Sequence, residues 1–76
     1  MTDKGAIDVV AEMVANVMTV LVSPGESVAA GDTLILLESM KMEIPVLAEQ
    51  DGTVLQVRVS PGDVIQEGDI LVTLSR

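Results

Sequence analysis

Apolar and polar positions along the chain fall into short runs separated by turn signals, a pattern that predicts strands and no long helix. Ala6–Ala11 and Asn16–Val22 read as the first two strands, followed by a turn at Ser23-Pro24-Gly25-Glu26. Proline presets φ there, and glycine tolerates a positive φ. Ser27-Val28 is a very short strand, and Ala30-Gly31-Asp32 turns the chain into Thr33–Ser39. That strand is apolar at consecutive positions, Leu34-Ile35-Leu36-Leu37, and is expected to be buried on both faces. Strands over Ile44–Ala48, Gly52–Val59, Val64-Ile65 and Ile70–Ser75 follow, with turns at Asp51-Gly52, Ser60-Pro61-Gly62-Asp63 and Glu67-Gly68-Asp69.

The second series repeats the first. Offset by 37 positions, the chain matches itself at 14 of the 33 pairs from Ile7/Ile44 to Ser39/Arg76. Ser23-Pro24-Gly25 falls on Ser60-Pro61-Gly62, Gly31-Asp32 on Gly68-Asp69, and Val17, Val20 and Val22 on Val54, Val57 and Val59. Neither half can bury its own apolar face, so each must cover the other. The predicted fold is all-β: a flattened eight-stranded barrel or sandwich of two four-stranded sheets related by an internal pseudo-twofold. Alternation with polar Gln56 and Arg58 points Leu55, Val57 and Val59 inward, and the repeat assigns Met18, Val20 and Val22 to the same face. Met1–Gly5 is expected to be a flexible leader, with residues 6–76 forming the domain and its halves spanning about 7–39 and 44–76.

Composition narrows the chemistry. The 76 residues contain no Cys, His, Phe, Tyr or Trp, so the core must be made of Val, Leu, Ile, Met and Ala. Thiolate metal sites and disulfides are excluded, and so is the commonest general base. With the acids dispersed over turns, no nucleophile–base pair can be drawn, and no catalytic or metal-binding residues are expected. A formal charge of −8 argues against nucleic-acid binding and against attachment to anionic membranes. No run approaches the ~20 apolar residues that span a bilayer. The leader lacks the features of a secretory signal, so a cytoplasmic location is expected. The glycines at 25, 31, 62 and 68 precede no helix, which makes them turn residues rather than phosphate-binding ones.

One stretch stands apart. Glu38-Ser39-Met40-Lys41-Met42-Glu43 joins the two repeats, and Lys41 is the only lysine besides Lys4 in the leader. The pseudo-twofold places this junction at one end of the molecule and the two termini together at the other. A tight hairpin over Ser39–Met42 would leave Lys41 solvated at its tip. Such turns ordinarily use Asn or Gly, because both central residues need positive φ. Met-Lys departs from that chemistry, and departures of this kind mark function.

This stretch resembles the attachment motif of biotinyl carrier domains, in the biotin/lipoyl attachment family, where a Met-Lys-Met core holds the biotinylated lysine. The resemblance extends from about Ile7 to Leu74 and takes in the Gly-Asp turns and the Ile44-Pro45-Val46 opening of the second half. Ser39 stands where the family usually has alanine. Ala11-Glu12-Met13-Val14-Ala15 stands where it usually reads Ala-Pro-Met-Pro-Gly, so the expected first hairpin lacks the family's prolines and turn glycine. No inserted thumb is evident.

The resemblance implies that Lys41 carries covalent biotin, attached by a biotin protein ligase through biotinyl-adenylate. Met40 and Met42 would be flanking recognition residues, with Glu38, Ser39 and Glu43 as further contacts. An ammonium is no nucleophile, so activation of the amine is expected inside the ligase. The loaded domain would carry CO2 as carboxybiotin from a biotin carboxylase to a carboxyltransferase. Its acceptor would be a keto acid or an acyl-CoA, as in acetyl-CoA carboxylase of fatty acid biosynthesis. With no linker or second domain in the sequence, the chain is expected to act in trans, as a monomeric carrier. Two other readings compete. A lipoyl carrier shares the fold and the hairpin, but usually has Asp before and Ala after the lysine. An unmodified assembly module would not take up biotin at all.

Overall fold

A computed structural model describes residues 5–75; the expected leader, apart from Gly5, lies outside them. Eight strands are found among the described residues: β1 (Ala6–Val10), β2 (Ala15–Val20), β3 (Ser27–Val28), β4 (Thr33–Ser39), β5 (Met42–Leu47), β6 (Gly52–Val57), β7 (Val64–Ile65) and β8 (Ile70–Ser75). They form two four-stranded sheets, ordered β1-β8-β6-β3 and β5-β4-β2-β7, and every pairing is antiparallel. Adding four to each strand number, and cycling back at eight, turns the first order into the second. Each sheet therefore takes strands from both halves, and neither half can fold without the other.

The hydrogen bonds obey the same twofold. Gly25 N–H donates to the Val54 carbonyl at 2.7 Å, and Gly62 N–H to that of Val17 at 2.8 Å. Gly31 N–H donates to Ala48 and Gly68 N–H to Ala11, each at 2.8 Å. Four turns share one design. Gly25, Gly31, Gly62 and Gly68 all have φ between 91° and 95°, the third-position geometry of a type II turn. In each, the following acid folds back: Glu26, Asp32, Asp63 and Asp69 accept from the backbone N–H of Ser23, Ala29, Ser60 and Gln66 at 2.8–2.9 Å. A third of the twelve carboxylates are thus turn-closing groups, which gives much of the acidity a structural origin.

The core consists of Leu34, Ile35, Leu37, Val54, Leu71, Val72 and Leu74, with Val17, Ile65 and smaller residues around them. Two of the residues expected to point inward do not. Leu55 is 42% exposed and Met18 37%, whereas their neighbours Val54 and Val17 are 1% and 2% exposed. The reason is a bulge in each strand. The β6–β8 register shifts between Val54 and Gln56, and the β2–β4 register between Val17 and Thr19, leaving Leu55 and Met18 as the extra residues. A bulge reverses the phase of the alternation, so strict period-two counting from Val57 backwards gives the wrong face. Val57 and Val59 are half-buried, Val20 is half-buried and Val22 is buried, as the alternation predicts.

Bulges also account for the apolar run in β4. Its register with β5 shifts between Thr33 and Ile35, so successive Leu34 and Ile35 are both fully buried. Leu36, on the other face, is only half-buried; the strand is covered on one face rather than two. The expected first hairpin is not formed: β1 pairs with β8 and β2 with β4 and β7, so the segment between them crosses from one sheet to the other, and it does so without a proline–glycine turn. Ala11 is held by Asp69 and Gly68, and Ala15, 5% exposed, opens β2 against Ile65.

Candidate functional site

The β4–β5 hairpin has the most regular pairing near its end. Leu37 opposes Ile44, Glu38 opposes Glu43 and Ser39 opposes Met42. Leu37 is 2% exposed and Ile44 packs against the core. Slipping the pairing by one residue would turn Leu37 into solvent, so burial holds the register. Only Met40 and Lys41 are left to reverse the chain. A two-residue reversal matched to the strand twist requires positive φ at both positions, and Met40 and Lys41 have φ of 53° and 65°. Among the described residues they are the only non-glycine positions in this region. Left-handed backbone costs a residue with a Cβ roughly 1 kcal/mol or more. Core packing therefore imposes the turn against the preference of its residues.

The tip is open to solvent. Met40 is 91% exposed and Met42 65%, Lys41 is exposed, and Ser39 is half-buried at the base. Lys41 does not line the main groove of the molecule. A groove of about 630 Å³ runs between the edge strands β1 and β5, and Ile44 is the residue of β5 nearest the tip that lines it. The acids at 38 and 43 are cross-strand neighbours and both exposed, a like-charge pairing that works against the hairpin. All six residues singled out from the sequence, Glu38 to Glu43, are brought together on this one hairpin.

Pairing adds neighbours that sequence reading does not supply. Asn16 of β2 opposes Glu38 and also Val64 of β7. Glu43, Glu38, Asn16 and Val64 thus form one exposed row across the sheet, drawn from both halves. Val64 in this row and Val14, just before β2, are exposed apolar residues, at 68% and 63%. The one sequence signal for them was the apolar Met13-Val14 in a loop where turn residues are the rule.

Chemically, the site offers a single exposed primary amine at the end of a paired hairpin. Among the described residues no group of His, Cys, Asp or Glu could hold a metal ion. No helix among them is long and apolar enough to cross a membrane. An amine displayed by a duplicated β-sandwich defines a class, the carrier domains that hold a prosthetic group on a lysine.

Comparison with known proteins agrees. Residues 5–74 match the family model of the biotin/lipoyl attachment domain, described as "biotin-requiring enzyme". The chain belongs to this family. A biotinylated protein TB7.3 homolog from Mycobacterium leprae is 62% identical over 40 residues, 53% of this chain and 56% of that protein. The chain therefore spans about half the length of this curated relative. Among solved structures, a single-chain, multi-domain long-chain acyl-CoA carboxylase superposes with a TM-score of 0.92 at 30% identity, covering 100% of this chain and 8% of that one. The lipoyl domain of the 2-oxoglutarate dehydrogenase complex from Azotobacter vinelandii superposes at 0.72 and 30% identity, covering 83% of this chain and 80% of that one. The family and the biotinylated relatives together support covalent biotin as the cofactor.

Proposed function

We propose that Lys41 is the residue that takes biotin, and that the chain is a non-catalytic carrier for a biotin-dependent carboxylase. The observation that carries this reading is the Met40-Lys41 turn. The scaffold holds both residues at positive φ and gives the lysine no packing partner to restrain it. An exposed, tethered amine fits the group: it can enter a deep ligase site and leave with a long arm that remains free to swing.

In the attachment step a biotin protein ligase presents an activated biotin carboxyl. Lys41 Nζ gives up a proton and forms the amide bond as AMP leaves. Met40 and Met42 present apolar, adaptable thioethers on either side of the amine, while the acids at 38 and 43 offer charge to a basic ligase surface. Ser39 keeps the base of the hairpin small. When attached, biotin supplies the group that carries CO2 between a biotin carboxylase and a carboxyltransferase, for delivery to an acyl-CoA or a keto acid. Acetyl-CoA, as used in fatty acid biosynthesis, is one such acceptor. The chain's own part is to hold the arm on a rigid stalk and to be small enough to visit both partners. A cytoplasmic, monomeric carrier fits the acidic surface.

The test is intact mass after incubation with biotin, ATP and an active biotin protein ligase. One biotinyl adduct is expected, and it should be absent from Lys41→Arg, which keeps the charge but cannot form the amide. Thermal unfolding of that variant should match the parent. A lipoyl adduct on Lys41, or no adduct from an active ligase, would overturn the reading in favour of a lipoyl carrier or an unmodified module.

A further inference from the structure

The methionines that flank Lys41 have a property that attachment alone does not use. Cys, His, Trp and Tyr are absent, so the thioethers are the groups in this chain most readily oxidised by peroxide. Their exposure is graded: Met40 is 91% exposed, Met42 65%, Met13 39% and Met18 37%. Among the described residues, the two most accessible thioethers are thus the two beside the acceptor lysine. Neither belongs to the core, so oxidising them leaves the packing that holds the fold intact. A nearly fully exposed methionine in a turn that favours Asn or Gly contributes nothing evident to folding. Its value lies in an apolar contact made when a partner closes over the tip.

From this we infer that Met40, with Met42 behind it, is a reversible oxidation site that switches recognition of Lys41. The inference rests on Lys41 being the attachment residue. Hydrogen peroxide is the oxidant. The sulfur lone pair attacks one peroxide oxygen, the O–O bond breaks and an S–O bond forms. Sulfur loses two electrons to give the sulfoxide, and the departing oxygen leaves as water once it has taken a proton. The product places a strong dipole and a hydrogen-bond acceptor where the partner expects an apolar side chain, and desolvating it on contact opposes docking. Thiol-dependent methionine sulfoxide reductases return the thioether. The carrier would lose affinity for its partners while remaining folded, and would regain it on reduction.

The experiment uses the full, unbiotinylated chain, which keeps biotin's own thioether out of the oxidation step. Graded hydrogen peroxide is followed by peptide mass mapping, and the initial rate of biotin uptake with a biotin protein ligase is then measured. Of the four described methionines, Met40 should oxidise first, Met42 second, and Met13 and Met18 more slowly. Once Met40 is fully converted, kcat/KM for biotinylation should fall roughly ten-fold, the size expected when much of one buried methionine contact is lost. Methionine sulfoxide reductase should restore it. The ratio of oxidised to untreated rate should return to one in Met40→Leu/Met42→Leu, each variant serving as its own reference, and should stay low in Met13→Leu/Met18→Leu. Oxidation of Met13 or Met18 ahead of Met40, or an unchanged rate with Met40 fully converted, would overturn the inference. Biotin uptake at Lys41 by the untreated chain reports separately on the attachment reading.

Discussion

The halves β1–β4 and β5–β8 each build two turns of one design, with matching pairs of bulges and matching cross-half backbone hydrogen bonds, and three of their differences are instructive. Where the first half leads into the second, a closed hairpin displays Met40-Lys41. The twofold counterpart of that hairpin is the point where Ala6 pairs with Ser75. Cross-strand partners Asp8 and Thr73 are joined by a 3.0 Å hydrogen bond from the threonine hydroxyl; their counterparts Pro45 and Leu36 form an apolar pair. Gly52 opens β6 where Ala15 opens β2. Symmetry is kept wherever the chain needs mutual burial. It is broken most at the one connection that the duplication makes unique, and that connection carries the lysine.

Apart from loss of biotin uptake in Lys41→Arg, the largest expected effect lies at the third difference. A Cβ at Gly52 would overlap the Ser75 carbonyl oxygen, so Gly52→Ala should destabilise by about 3 kcal/mol. The reverse change, Ala15→Gly, should cost only about 1 kcal/mol. Comparable losses in urea titration would mean that the two openings are equivalent after all.

Next comes the polar pair. Thr73 is 8% exposed, so Asp8→Ala, which strips its hydroxyl of a partner, should cost about 1–2 kcal/mol. Adding Thr73→Val should recover most of that loss, because the pair then becomes apolar, as in the other half. A double-mutant cycle by chemical denaturation would show whether the coupling exists.

Met40→Gly should act in the opposite sense. Relief of the left-handed backbone, offset by the freedom glycine adds to the unfolded chain, should raise stability by roughly 0.5–1 kcal/mol while slowing biotin uptake. A stabilised variant biotinylated at the parental rate would detach the turn's strain from its function. Smallest of all, Glu43→Gln removes the repulsion across from Glu38 and should add a few tenths of a kcal/mol, roughly, at low salt. That gain should shrink as salt is raised.

How much was legible in advance divides along physical lines. The repeat, the turns and the strand count could be read directly, because each rests on local residue chemistry: proline and glycine in turns, β-branched residues between them. Lys41 was legible for the same reason, as an unlikely residue in a tight turn. The faces of Met18 and Leu55 were not, since a bulge is set by how two strands pair and leaves little trace in either strand alone. Nor were Asn16 and Val64, which strand order brings into one row with Glu38 and Glu43.

Taken alone, the amino-acid sequence determined a duplicated β fold, a core without aromatic residues, and a single lysine at the junction of the repeats. Only the tertiary structure decided that the halves exchange strands between two sheets, that four bulges set which side chains face inward, and that Met40 and Lys41 both occupy the left-handed region. The reason is the range of the interactions. Turn and strand preferences act over a few residues and are written where they act. Register depends on burying Leu37 and Ile44 against residues from the other half of the chain, and that long-range packing is what pushes Lys41 out into solvent.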